Sequence, residues 1–84
     1  MAQNDVFNVG DIVRYNGKEG IVMDSELDSC GASETLYIFN PNDPDNYDEA
    51  DSAHARKVPF NAATPRCQAA AALAKYINDL PWRK

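Results

Sequence analysis

The fold of this chain is decided by residues 7–22, which read FNVGDIVRYNGKEGIV. Their valines, isoleucines and tyrosine are separated by polar residues, as in strands with one buried face. The central Asn16-Gly17 is a strong hairpin signal, because both central residues of a type I′ turn need positive φ. We therefore predict two antiparallel strands, over 7–15 and 20–24, with Met23 at least half-buried in the second.

Further short strands and loops follow this hairpin. Residues 35–39 (TLYIF) are β-branched and aromatic, which is typical of a strand. Residues 55–60 form a predicted fourth strand, which Pro59 ends or places at a sheet edge. The polar segment 25–34 and the acidic, proline-containing segment 40–52 are predicted loops.

The C-terminal part changes to a helical pattern. Thr64 is a candidate N-cap and Pro65 suits the first helical position. Four alanines at 69–72 favour a helix, and apolar residues recur at three- and four-residue spacing after them. Because Pro81 stops the pattern, we predict a C-terminal helix over about 64–80.

Length and composition set the fold class. The chain has 84 residues, 44% of them hydrophobic, which is room for one small domain over 1–84. A hairpin followed by two more short strands buries its apolar face best by closing into a small barrel. We therefore predict a mainly β (α+β) fold, an antiparallel barrel of four to five strands with a C-terminal α-helix.

No segment indicates a membrane or an export route. The longest apolar runs fall well short of the roughly 18–20 residues that cross a bilayer. Residues 1–5 contain neither the basic nor the apolar region of a signal peptide. These features predict a cytoplasmic protein without a membrane partner.

Acidic residues are concentrated in the middle of the chain. The net charge is −5, yet no lysine or arginine lies between Glu19 and Ala55. Phosphate binding needs a positive surface, so direct binding to nucleic acid is disfavoured and a basic protein surface is the predicted partner. The alternative is that the acids serve solubility alone. The candidate contact residues are Asp24, Glu26, Asp28, Glu34, Asp43, Asp45, Asp48, Glu49 and Asp51, with Tyr47 as an aromatic anchor.

Tyr37 and Phe39 lie between these acids in the sequence. Aromatic residues in a strand most often belong to the core or a sheet edge. The other interpretation is that they anchor a partner, as aromatic side chains do at interface hot spots.

The sequence gives weak support to metal or catalytic sites. A calcium-binding EF-hand loop starting at Asp43 would need an oxygen ligand and a glycine where Tyr47 and Asp48 stand. A looser cation site in this loop is the alternative. We predict no cofactor, no metal and no catalytic residue.

The two cysteines and the single histidine lack a diagnostic spacing. Cys30, His54 and Cys67 are not paired as structural zinc ligands are, and two free thiols are expected. Cys67 is placed at the start of the predicted helix, where the helix N-terminus can acidify a thiol. No third group is present to orient a Cys–His pair, which predicts that the protein is not an enzyme.

The first hairpin resembles the opening of SH3-like small barrels, including KOW-type and Tudor-like domains. The resemblance consists of Gly-Asp-x-Val, a short glycine-containing loop and Gly-x-Val, and it covers residues 7–22. It implies an SH3-like barrel and is a poor guide to function, because such barrels have many roles. The matching residues are Gly10, Asp11, Val13, Gly17, Gly20 and Val22.

The charge pattern leads to two functional hypotheses. In the first, a non-enzymatic interaction module presents its acidic surface to a basic groove of a larger protein, as a nucleic-acid-mimicking inhibitor does. In size and charge the chain is similar to small phage inhibitors of the anti-restriction and anti-CRISPR type. In the second, an adaptor or accessory subunit docks a partner through its barrel groove or C-terminal helix.

Overall fold

The computed structural model describes residues 6–31 and 33–78. Its strands form one antiparallel five-stranded sheet in the order β4-β3-β2-β1-β5. This confirms the predicted mainly β (α+β) fold with five strands and a C-terminal helix. The elements are β1 (Ile12–Tyr15), β2 (Lys18–Leu27), β3 (Glu34–Phe39), β4 (Tyr47–Asp51), β5 (Ala55–Lys57) and α1 (Pro65–Asn78), with 3₁₀ turns at Ser52–His54 and Phe60–Ala62.

The hairpin forms at the predicted turn. Asn16 and Gly17 have φ values of 49° and 75°, and Tyr15 pairs with Lys18 around them. The first strand starts at Ile12 and not at residue 7, because a turn closed by Asn8 and Asp11 precedes it.

Strand β4 lies inside the segment predicted as a loop. Its residues alternate, so that Ala50 packs against the core while Tyr47 and Glu49 face the other way. Acidic residues disfavour strands, and this composition obscured the alternation. Pairing with the apolar strand β3 supplies the stabilisation that the local sequence lacks.

A β-bulge at Met23 changes the register of β2. Val22 pairs with Ile38, but the next pair is Asp24 with Tyr37, so Met23 is an extra residue. Met23 is therefore 40% exposed, whereas Ile21 and Val22 before it are fully buried. Because side chains alternate along a strand, the extra residue decides which face Asp24 occupies.

The sheet has an apolar cluster on each face. One face, which we call the inner face, carries the cluster of Phe7, Val13, Tyr15, Val22, Leu36, Ile38 and Ala55. On the opposite, outer face, the helix packs on Ile12 and Ile21 through Cys67, Ala71 and Ala74. The helix thus covers the outer face where β1 meets the first half of β2.

The helix begins as predicted. Thr64 Oγ1 accepts a hydrogen bond from the backbone N–H of Cys67 at 3.4 Å, as an N-cap does. The described part of the helix ends at Asn78, and the last two residues of the predicted helix lie outside the described residues. Over 6–31 and 33–78, no helix has the length and apolar character that a membrane crossing requires.

Candidate functional site

Four carboxylates share the outer face of the sheet beside the helix. On β3, Tyr37 pairs with one acid on each side, and Thr35 pairs with the other two. Paired strands lie about 5 Å apart and alternate residues of one strand about 7 Å apart, so the four acids outline a rectangle of roughly 10 by 7 Å. We call this the acidic face; it consists of Asp24 and Glu26 on β2 and Glu49 and Asp51 on β4.

The acidic face has no intramolecular counterions in the described part of the chain. The ion pairs of residues 6–31 and 33–78 use other acids: Arg14–Glu19, Lys18–Asp48 and Lys57–Asp11. Four negative charges that have no counterion among the described residues attract cations from solution or from a partner.

Aromatic side chains line an open groove along the acidic face. The groove encloses about 650 Å³. Tyr47 is 65% exposed, so much of its ring is accessible from solution. We call this the acidic–aromatic groove; its walls include Tyr37, Phe39, Tyr47 and Met23, with the carboxylates of Asp24 and Glu26.

Tyr37 connects the aromatic and acidic parts of this groove. Its hydroxyl donates a hydrogen bond to Glu26 Oε1 at 2.8 Å. Its ring meets the Tyr47 ring edge to face, with centroids 6.1 Å apart and planes at 72°. The hydrogen bond to the Glu26 carboxylate, together with desolvation, raises the pKa of Tyr37 to about 12. Tyr37 therefore stays protonated at neutral pH and orients Glu26.

The other predicted contact residues lie elsewhere. Asp48 accepts a hydrogen bond from Tyr15 on the inner side of the sheet. Asp43 and Asp45 are in the loop between β3 and β4, whereas Asp28 is at the opposite end of the sheet, where its carboxylate binds Ser33. Glu34 directly precedes Thr35 in β3. Because neighbouring residues of a strand point to opposite faces, Glu34 points away from the acidic face. Of the ten candidate contact residues, five lie on one surface: the four acids of the acidic face and Tyr47.

The groove also contains residues that the sequence did not assign firmly. Leu36 and Ile38 of β3 are buried, and this alternation turns Tyr37 and Phe39 to the outer face. The alternation is visible in the sequence and favours the anchor interpretation. No sequence pattern indicates Met23, because a bulge depends on pairing with a distant strand.

The described residues contain no cluster of metal-ligand side chains, and both cysteines are free thiols. Within 6–31 and 33–78, no three or more histidine, cysteine or acidic side chains converge as metal ligands. Both cysteines are free, Cys30 exposed and Cys67 buried. Burial raises the pKa of Cys67 despite its place near the helix N-terminus, which contradicts the expected acidification.

Comparison with known proteins gave no match. No protein-family model, curated protein or solved structure matches this chain. Inference about function therefore starts from the acidic face and its groove.

Proposed function

We propose that this protein is a non-enzymatic interaction module whose acidic face binds a basic surface of a partner protein. The observation that carries the proposal is the gathering of four carboxylates on one face, none of them in an ion pair with the rest of the described chain. Complementary charge speeds encounter and fixes orientation. The exposed Tyr47 adds an aromatic anchor at the same place.

A partner that normally contacts phosphates fits this surface. Such proteins present clustered lysines and arginines, and carboxylates can bind these side chains in place of phosphates. The module then acts as an inhibitor that competes with nucleic acid. Direct binding of nucleic acid is disfavoured, since the acidic face repels phosphates.

The fold family and the compartment are parts of the same proposal. Two observations support an SH3-like barrel: the matching residues of the first hairpin, and the hydrogen bond that Tyr15 of β1 makes to Asp48 of β4 across the five-stranded sheet. The free cysteines support a reducing compartment such as the cytoplasm.

A second candidate function uses the helix. Leu73 and Tyr76 are 57% and 64% exposed and lie three residues apart, on one side of α1. Apolar side chains presented in this way suit an adaptor that docks a partner through its helix. In this case the acids contribute only solubility.

Two matched triple variants separate these functions. The face variant is Asp24→Asn, Glu26→Gln and Glu49→Gln; the control variant is Glu34→Gln, Asp43→Asn and Asp45→Asn. Each removes three acids and changes the net charge from −5 to −2. Partner capture from a lysate at low and high salt is then quantified by mass spectrometry.

The acidic-face proposal predicts a salt-sensitive partner that the wild type and the control variant retain and the face variant loses. Displacement of that partner by duplex DNA supports competition with nucleic acid. Equal loss with both triple variants means that total charge matters and not the face. Retention by both, with loss after Leu73→Ala, contradicts the proposal and favours the adaptor.

A further inference from the structure

We infer that the acidic–aromatic groove receives the guanidinium group of an arginine side chain from the partner. This inference rests on the proposed function and names the chemical group that the acidic face recognises. It uses three features of the groove: its aromatic walls, its oriented carboxylates and its open shape.

The aromatic walls favour a cation that is easily desolvated. A cation close to the face of a tyrosine or phenylalanine ring is attracted by the ring quadrupole. Tyr47 offers an accessible ring, and Tyr37 and Phe39 continue the aromatic surface towards β2. A cation on this surface lies beside carboxylates that have no counterion in the described chain.

Two carboxylates of the groove are held in place. Glu26 Oε1 accepts the hydrogen bond from Tyr37, and Asp24 Oδ1 accepts one from the backbone N–H of Ser25 at 2.8 Å. Each carboxylate can accept further hydrogen bonds. Glu26 and Asp24 are alternate residues of one strand, about 7 Å apart along it. Hydrogen-bond acceptors fixed on alternate residues of one strand suit a planar group that carries several donors.

Arginine meets these requirements better than lysine. The guanidinium presents five N–H donors in a planar fork, stacks on aromatic rings and is weakly hydrated. The lysine ammonium is a compact, strongly hydrated point charge that gains less from a ring surface. If the groove recognises the guanidinium group, an arginine peptide binds more tightly than a lysine peptide of equal charge. If the groove recognises charge alone, the two peptides bind equally.

Synthetic peptides test this directly. Four peptides of one length and glycine–serine background carry arginine, lysine, trimethyl-lysine or citrulline. Citrulline keeps the shape of arginine without its charge. Isothermal titration calorimetry and amide NMR shifts report binding to the full chain. We expect the arginine peptide to bind about five-fold tighter than the lysine peptide, the citrulline peptide not to bind, and shifts to concentrate at Asp24, Tyr37 and Tyr47.

Variants of the groove locate the effect. Tyr47→Ala is expected to weaken the arginine peptide by about three- to five-fold, the range of an exposed cation–π contact. Tyr76→Ala is the matched control, since Tyr76 on the helix is 64% exposed, as Tyr47 is 65%. Tyr37→Phe keeps the ring and releases Glu26, so it lowers the preference for arginine over lysine. Thermal unfolding of each variant confirms that it is folded.

The outcomes distinguish the inference from the proposed function. Equal affinities for arginine and lysine peptides overturn the arginine assignment and leave the acidic face as a general contact for basic surfaces. Tighter binding of a trimethyl-lysine peptide also overturns it, in favour of a quaternary ammonium. If no peptide binds while lysate capture still requires the acidic face, the groove assignment alone fails. If capture does not depend on the acidic face, the proposed function fails.

Discussion

Tyr15 of β1 donates its hydroxyl hydrogen to Asp48 of β4, with 2.8 Å between Oη and Oδ2. Two strands separate β1 from β4 in the sheet, so in a flat sheet the strands would lie about 14 Å apart. The sheet must therefore curl to bring these side chains together. Lys18 Nζ lies 3.7 Å from the same carboxylate oxygen, so two groups from the first hairpin hold Asp48.

We predict that Tyr15→Phe destabilises the fold by about 1.5–3 kcal/mol, the contribution of a hydrogen bond to a charged group. Removing the hydroxyl leaves the ring in the core and the Asp48 carboxylate with Lys18 alone. Urea denaturation measures the loss. Tyr76→Phe, on an exposed helix position, is the control and should be neutral.

The same pair makes the fold sensitive to alkaline pH. Burial, and then the hydrogen bond to Asp48, raises the pKa of Tyr15 well above 10.0. The folded state therefore holds this proton more tightly than the unfolded state, and the stability it contributes is complete below pH 10 and declines above it. Denaturation midpoints should decline less steeply above pH 10 in Tyr15→Phe than in the wild type. Equal slopes would contradict the role given to Tyr15.

Glu19 is predicted to make the fold sensitive to acid. Its side chain is only 10% exposed and accepts the backbone N–H of Thr64 at 2.9 Å, which links β2 to the start of the helix. This hydrogen bond lowers the pKa of Glu19 below its ordinary 4.5. The associated stability is present above pH 4.5 and is lost as the pH falls through the lowered pKa.

Glu19→Gln should therefore lower the stability at pH 7 by about 1–2 kcal/mol and weaken its dependence on pH below 4.5. Chemical denaturation at several pH values measures both effects. Glu34→Gln, away from the helix, serves as the control. An unchanged acid profile in Glu19→Gln would show that other carboxylates determine it.

The parts of the fold that local sequence determines were predictable. Asn16-Gly17 specifies its turn through φ alone, and Thr64 with Pro65 specifies a helix start. The bulge at Met23 was not predictable, because it arises from pairing with β3 and not from residues nearby in the chain. The acidic face combines Asp24, at the end of a predicted strand, with acids from two segments predicted as separate loops, so charge pattern alone did not reveal it.

Gly20 is expected to tolerate no side chain. A Cβ at this position would lie 2.5 Å from Ile38 Cγ2 and 2.7 Å from the carbonyl oxygen of Phe39, and the backbone oxygen cannot move aside. Gly20→Ala should cost about 3 kcal/mol through overpacking. Gly17→Ala meets nothing within 4 Å and should cost about 1 kcal/mol, through its positive φ alone. Thermal unfolding of both variants ranks them, and a smaller loss at Gly20 would be inconsistent with this packing.

The two thiols should react at very different rates. Cys30 is exposed, whereas Cys67 is 1% exposed on the side of α1 that faces the sheet, and burial raises its pKa. The thiolate is the reactive form, so both access and ionisation protect Cys67. A colorimetric thiol reagent should titrate one thiol in the native protein and two in denaturant, and Cys30→Ser should remove the fast phase. Two fast thiols would show that Cys67 is not buried between α1 and the sheet.

Deletion of Met23 is expected to leave the acidic face in place. Without Met23, Asp24 follows Val22 directly, and in a regular strand it stays opposite Tyr37 on the outer face. The deletion therefore removes the bulge and one side chain of the groove wall, and it turns no carboxylate towards the core. We expect it to cost about 1–3 kcal/mol and the deletion variant to remain folded. Met23→Ala keeps the extra residue, so it should lose less than about 1 kcal/mol. Urea denaturation and amide NMR shifts of β2 and β3 measure both variants, and complete unfolding of the deletion variant, or loss of the pairing between Asp24 and Tyr37, would mean that the bulge itself is needed to hold Asp24 on the outer face.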